Sequence, residues 1–155
     1  LPKHNDLHQI AISHFKLGAI VSTEHPLASQ KTVSFHQCLD YDVIMPKPNL
    51  SIYQQLAPLF AGAQHAIPNF KMQTSSLELM KQLILRNKGI GFQTFFGLEN
   101  EIINNRLRYI PLNDNNGIYC DLGLYARKGH YLSTATDALS RLITDEILQR
   151  GEAGQ

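Results

Sequence analysis

Residues 70–92 have the sequence FKMQTSSLELMKQLILRNKGIGF, which predicts a strand, a helix and a second strand in succession. The first four residues alternate between apolar and polar side chains, as in a half-buried strand. Ser75 and Glu78 have the spacing of a capping box, which predicts that the helix begins at Ser75. Gly89 stands where a helix ends in a left-handed residue, and an extended run follows it. We therefore predict a β-α-β unit, which builds a parallel sheet through a right-handed crossover.

The turn between this strand and this helix is rich in hydroxyl groups, which come from Thr74, Ser75 and Ser76. In open α/β sheets, small ligands bind at the carboxyl ends of strands, next to helix N-termini. The unpaired N–H groups and the helix dipole favour a negative charge there by about 0.3–1 kcal/mol. Capping alone explains Ser75, so Thr74 is the favoured ligand contact. We predict a binding site for a small ligand formed by these three residues.

Two further groups of polar residues follow predicted strands and are candidates for the same site. Lys47, Asn49 and Ser51 lie in and just after a proline-rich loop, where the lysine would pair with a carboxylate. Gln93 and Thr94 end the strand that follows Gly89, where polar groups need partners. We predict that all five contact the same small ligand.

Elsewhere the chain alternates between strand and helix patterns, which indicates an α/β fold. Strands are predicted at residues 10–12, 17–21, 41–45, 107–112 and 122–126. Helical segments are predicted at residues 33–39, 51–61 and 98–105, and from Ser133 onward, where Ala135, Leu139, Leu142, Ile143 and Ile147 share one face. Pro58 lies within the second of these segments and is predicted to kink or shorten it.

The composition excludes several classes of protein. The 155 residues are 43% hydrophobic and carry a net charge of +1, with no basic cluster of the kind that binds nucleic acid. No apolar run is long enough to span a membrane. Cys38 and Cys120 are predicted to be free thiols. No cofactor or metal is predicted, because Gly89 and Gly91 lack the third glycine of a dinucleotide fingerprint and no histidine pair in an ordered segment has ligand spacing.

The order of these segments resembles the effector-binding domain of LysR-type transcriptional regulators over about residues 10 to 148. The resembling segments are His25-Pro26-Leu27-Ala28, the strand at 41–45 with its proline-rich loop, Thr74 to Leu79 with Gly89-Ile90-Gly91, Asn105-Arg106-Leu107, Pro111-Leu112, Leu122-Gly123-Leu124 and Leu132-Ser133. The chain departs from the family at residues 92–96, FQTFF, where the family has a small apolar run that ends in proline.

The resemblance implies an α/β fold of two lobes, like type II periplasmic binding proteins, with an incomplete N-terminal end. Residues 1–40 would belong to lobe I with the first crossover strand, 41–112 to lobe II, and 113–150 to the second crossover strand and the return to lobe I. It also implies a cytoplasmic regulator that binds a small, anionic effector in a cleft between the lobes and forms a homodimer or tetramer. DNA contact would come only from a winged helix-turn-helix outside this chain, with no membrane partner.

Two alternatives share this fold and stay open on the sequence alone. A periplasmic solute-binding protein would carry a secretory signal upstream and would serve transport. An enzyme would need a perturbed acid or base in its cleft, and the sequence offers no strong candidate for catalysis. The regulator is the favoured interpretation, because it accounts for the order of segments and for the hydroxyl-rich turn.

Overall fold

A computed structural model of the protein describes residues 6–61, 70–129 and 133–153, so that Leu132 of the resembling segments lies outside them. Strands β1 to β6 are Leu7–Ser22, Val43–Pro46, Met72–Thr74, Ile90–Thr94, Leu107–Pro111 and Tyr119–Arg127. Helices α1 to α5 are Phe35–Cys38, Ser51–Ala61, Leu77–Leu85, Glu99–Ile103 and Thr134–Ala153. Short 3-10 turns occupy Pro26–Ser29 and Asp114–Asn116.

These strands form one mixed sheet. Its order is β3-β2-β4-β1-β5, and β6 pairs with β1. Strand β2 is parallel to both β3 and β4, since Ile44 lies opposite Met72 on one side and Gly91 on the other. Strand β1 is antiparallel to β4 and β5. The predicted β-α-β unit is therefore confirmed, with β2 lying between its two strands.

Strands β2 and β4 are buried on both faces, as expected of strands covered by helices on either side, whereas β3 at the edge is exposed. Val43 and Met45 contact one apolar cluster, which includes Phe35 of α1 and Leu56 of α2. Ile44, between them, contacts a second cluster with residues of α3. The alternation of side chains along a strand thus divides the core into two layers.

The boundaries of α3 differ from the prediction by one or two residues. The N-cap is Ser76 rather than Ser75, because the Ser76 hydroxyl accepts a hydrogen bond from the Leu79 amide at 3.2 Å. At the other end Asn87, with φ of 52°, is the first left-handed residue after the helix, and Gly89 has the predicted positive φ, of 151°. Gly89 is also required by space, because a Cβ there would lie 2.6 Å from the carbonyl oxygen of Asp42.

Three other elements also differ from expectation. The strands predicted at 10–12 and 17–21 are one continuous strand, β1. Helix α2 continues past Pro58 to Ala61, as a proline within a helix removes one hydrogen bond without always ending the helix. On α5, Ile147 is buried, whereas Leu139 and Leu142 are 55% and 68% exposed. The predicted apolar face of α5 is therefore packed only in part.

The chain divides into two compact units. The first contains the described residues of 1–15 and 121–155, and within it Gly151 of α5 lies against Ser13 of β1. The second comprises residues 16–120, with β2 to β5 and α1 to α4. Strands β1 and β6 have residues in both units. The lobe boundaries after residues 40 and 112 stay a prediction.

Candidate functional site

A groove open to solvent lies within the second unit, at the carboxyl ends of the parallel strands β2 and β3. The space between its walls, counted together with the open solvent in it, is about 340 Å³, so this is an open groove rather than an enclosed cavity. Its walls also include the end of β4 and the first residues of α2 and α3. The lining residues are Pro46, Leu50, Ile52, Thr74, Ser75, Ser76, Leu77, Met80, Phe92 and Gln93.

The three predicted hydroxyl residues come together on one wall of this groove. The Thr74 hydroxyl oxygen accepts a hydrogen bond from the Ser76 amide at 3.0 Å. The Ser76 hydroxyl caps α3 through its bond with Leu79. Both residues therefore have a structural role as well, in contrast to the expectation that only Ser75 would. Ser75 is exposed and lies between them in the chain.

Helix α3 begins at the same wall and directs its first amide groups toward the hydroxyl turn. None of the hydrogen bonds among the described residues uses the amide N–H of Leu77 or of Glu78. Unpaired N–H groups at a helix start, together with the dipole, form a site for an electron-rich group. The unpaired amide groups at the start of α3 therefore lie at the wall of the groove.

Gln93 and Thr94 are separated by the alternation of β4. Gln93 lines the groove, and its side-chain oxygen accepts a hydrogen bond from the Thr94 amide at 2.9 Å. Thr94 is 8% exposed, pairs with Leu17 of β1, and is not among the lining residues. Only the first of the two predicted residues is thus placed at the groove.

Lys47, Asn49 and Ser51 are exposed and are not among the lining residues. The loop that carries them is nevertheless attached beside the groove, because the Lys47 amide donates to the carbonyl of Thr74 at 3.1 Å. Their role as effector contacts stays a prediction.

The apolar lining of the groove was not predicted. It consists of Pro46, Leu50, Ile52, Leu77, Met80 and Phe92. Leu77 and Met80 fall on the apolar face of α3, a pattern that also describes an ordinary core helix. The adjacency of these residues to the polar strand ends was the available signal, since apolar walls with a few polar groups are typical of ligand sites.

A small ion-pair network holds α3 against α4, next to the groove. The Lys81 ammonium lies 2.6 Å from the Glu101 carboxylate and 3.3 Å from that of Glu78. The hydrogen bond with Glu101 raises the pKa of Lys81, and the same bond lowers the pKa of Glu101. Hydrogen bonds from Gln82 and Lys81 lower the pKa of Glu78. At neutral pH these three groups are therefore charged and paired.

Cys38 and His25, two other chemically reactive residues of the second unit, are buried. Burial raises the pKa of the Cys38 thiol to about 12, and burial lowers the pKa of His25, whose Nδ1 accepts from the Leu27 amide. Cys38 and Cys120 form no disulfide, as predicted. In the part of the chain that the structure describes, no cluster of three His, Cys, Asp or Glu residues is arranged to hold a metal.

None of the helices in the described ranges combines the length and the apolar character that a membrane crossing requires.

Comparison with known proteins gives a consistent result. A family model described as the LysR substrate binding domain matches residues 1–147. A search of curated protein sequences finds no significant match.

Solved structures with the same fold are numerous. The effector binding domain of QuiR in complex with shikimate is 17% identical with a TM-score of 0.69, over 96% of this chain and 69% of that one. The Synechocystis PCC6803 CcmR regulatory domain in complex with 2-PG is 19% identical with a TM-score of 0.69, over 95% of this chain and 70% of that one.

HinK, a LysR family transcriptional regulator from Pseudomonas aeruginosa, is 11% identical with a TM-score of 0.73. The match covers 95% of this chain and 50% of HinK, so the chain spans half the length of that regulator. Identities this low establish the fold and leave the ligand to be argued from the groove.

Proposed function

The chain belongs to the LysR substrate binding domain family, and from this premise we propose that it senses a small-molecule effector in the groove at the start of α3. Binding of the effector would modulate a winged helix-turn-helix DNA-binding domain that lies outside these 155 residues. The matching structures are those of transcriptional regulators, which favours this function over solute transport or catalysis on the same fold.

One observation carries the proposal. Three hydroxyl residues, Thr74, Ser75 and Ser76, line one groove together with Gln93 beside a helix start. Hydrogen bonds to a charged group contribute about 1.5–3 kcal/mol each, so two or three of them with apolar burial reach the roughly −8 kcal/mol of a micromolar complex. The apolar lining supplies that burial.

We propose that the effector acts by shifting a population of conformations. A ligand changes the balance of two states only if it binds one of them more tightly. The effector would do so by contacting α2 and α3 at once, since residues of both helices line the groove. In keeping with its family, the regulator would work in the cytoplasm as a homodimer or tetramer.

The proposal is tested by a thermal-shift screen of the chain against small carboxylic acids, sugars, amines and phosphate esters. Ser75→Ala is the informative variant, because Ser75 neither caps α3 nor accepts the bond from Ser76, so its loss leaves the helix start intact. We expect a compound from the screen to bind about tenfold more weakly to this variant, the value of one lost hydrogen bond to a charged group.

Ser29→Ala is the matched control, as Ser29 is also exposed and lies outside the groove. It should leave the affinity unchanged. A compound that stabilises the wild-type chain and both variants equally would remove the groove as the effector site. A screen without any stabilising compound would count against effector sensing by this chain.

A further inference from the structure

Among the described residues that line the groove, none has an ionisable side chain, and this bears on the identity of the ligand. In the described parts of the chain its walls consist of six apolar residues, three hydroxyl residues and Gln93. A ligand with two negative charges, or a phosphate ester, would lose water on binding without meeting a lysine or arginine. Burying an unpaired charge is strongly unfavourable, so such ligands are disfavoured here.

The polar groups of the groove are biased toward donating hydrogen bonds. The oxygens of Thr74 and Ser76 each accept from a backbone amide, so their hydroxyl protons are directed to other acceptors. The Gln93 oxygen accepts from Thr94, and its amide nitrogen therefore keeps two protons to donate. These donors come from two separate elements, the turn before α3 and the end of β4.

Donors without a formal positive charge suit one carboxylate. A carboxylate accepts several hydrogen bonds and is stabilised by neutral N–H and O–H groups when it carries a single charge. An amine presents only donors and would find few acceptors, since three of the polar oxygens are already engaged. The carboxylate of Glu78 adds little negative potential, because Lys81 pairs with it.

The apolar lining of the groove indicates the chemical character of the rest of the ligand, beside its carboxylate. Leu50, Ile52 and Leu77 are partly buried, so part of each side chain is exposed to a ligand. Phe92 is almost fully buried and has almost no exposed surface. Burial of hydrocarbon against such surface is favourable in proportion to the area covered. A short apolar body beside a single carboxylate therefore matches both parts of the groove.

We propose that this groove takes a small acid with one carboxylate and an apolar body, and that it rejects phosphate esters and amines of the same size. This inference rests on the proposed function and narrows its ligand to one chemical class. The discrimination comes from the neutral donors that line the groove, since the exposed Lys47 is not among the lining residues.

The experiment uses three probes that share a phenyl body: phenylacetate, 2-phenylethylamine and benzyl phosphate. Amide chemical shifts of the ¹⁵N-labelled chain are followed during titration with each probe. We expect phenylacetate to shift the amides of Leu77 and Glu78 with the highest affinity, and the other two probes to bind at least tenfold more weakly.

A pair of variants separates charge from shape. Gln93→Glu keeps the oxygen that accepts from Thr94 and replaces the donor by a negative charge, so phenylacetate affinity should fall at least tenfold. Thr74→Ser keeps the hydroxyl and should bind within twofold of the wild type. Unfolding midpoints of both variants are measured alongside, and only variants with a wild-type midpoint are compared.

The outcomes are distinct for the two proposals. Benzyl phosphate or 2-phenylethylamine binding as tightly as phenylacetate, at the same amides, would overturn the ligand class and leave effector sensing intact. Failure of all three probes to shift any groove amide would also overturn the ligand class. The proposed function is decided separately, by the unbiased screen and the Ser75→Ala variant.

Discussion

Replacement of Gly91 by alanine is expected to destabilise the second unit and to disturb the groove through Met80. A Cβ at position 91 would lie 2.6 Å from the Met80 sulfur and 2.8 Å from the Ile84 Cδ1 atom. The first distance is about 0.8 Å short of the 3.4 Å at which ordinary contact begins. Both side chains are buried in the layer between α3 and the sheet, so neither withdraws into solvent.

The magnitude follows from the cost of overpacking. An extra methyl group in a well-packed core lowers the free energy of unfolding by about 1–3 kcal/mol. Because the new methyl group would contact two side chains of α3, we expect Gly91→Ala to lower it by about 2 kcal/mol. Relief of the overlap requires α3 to move away from β4. Because Met80 and Leu77 line the groove, the same movement should weaken binding of any ligand held there.

The assay is urea denaturation of four proteins: the wild-type chain, the two single variants Gly91→Ala and Met80→Ala, and the double variant. Removal of the Met80 side chain deletes the closest contact, so the cost of Gly91→Ala should fall by ~1 kcal/mol in that background, as for residues in direct contact. An equal cost in both backgrounds, or a cost below about 0.5 kcal/mol in the wild type, would refute the packing argument.

Three further predictions concern stability and reactivity. Lys81→Met should destabilise by about 1–2 kcal/mol in urea denaturation, because its pair with Glu101 is largely buried, whereas Arg141→Gln, at an exposed pair, should cost roughly 0–0.5 kcal/mol. The pKa of Glu101 is lowered in the fold, so its carboxylate contributes to the free energy of unfolding at neutral pH. This contribution should be lost as the pH falls through that lowered pKa. Urea midpoints across the acid range should therefore fall less steeply for Lys81→Met than for the wild type; an unchanged slope would contradict the assignment. Cys38, with its raised pKa, should resist iodoacetamide until the chain unfolds, while the half-buried Cys120 reacts first, as peptide mass spectrometry would show; early labelling of Cys38 would mean that its layer opens readily.

The β-α-β unit could be predicted because its signals are local in sequence. The exact ends of its helix could not be predicted, since they depend on pairing with β2. Both Ser75 and Ser76 are competent N-caps by type. The choice falls on Ser76 because Thr74 is still paired with Pro46 of β2, which keeps the chain extended for one residue longer than the capping-box spacing suggested. That pairing joins residues far apart in sequence, and no local pattern reports it.

The polar residues of the groove were predictable in part, and its apolar residues were not. Thr74 and Gln93 stand out because polar groups at the ends of apolar strands need partners. Thr94 has the same signal, yet it faces away from the groove, since adjacent strand residues point to opposite faces. Met80 carries the helical periodicity of a core residue, which it also is, so periodicity alone does not identify it as a wall of a site.

The alternation along β4 links the packing of α3 to the chemistry of the groove. Gly91 and Gln93 are two residues apart and therefore share the face of β4 on which α3 packs. The missing side chain at Gly91 lets Met80 and Ile84 approach the strand closely, which brings the start of α3 down to the sheet. Gln93 then lies in the same groove as Ser76. A larger residue at 91 would lift the helix and separate the donors on the helix from the donor on the strand. The proposed carboxylate would then no longer contact both.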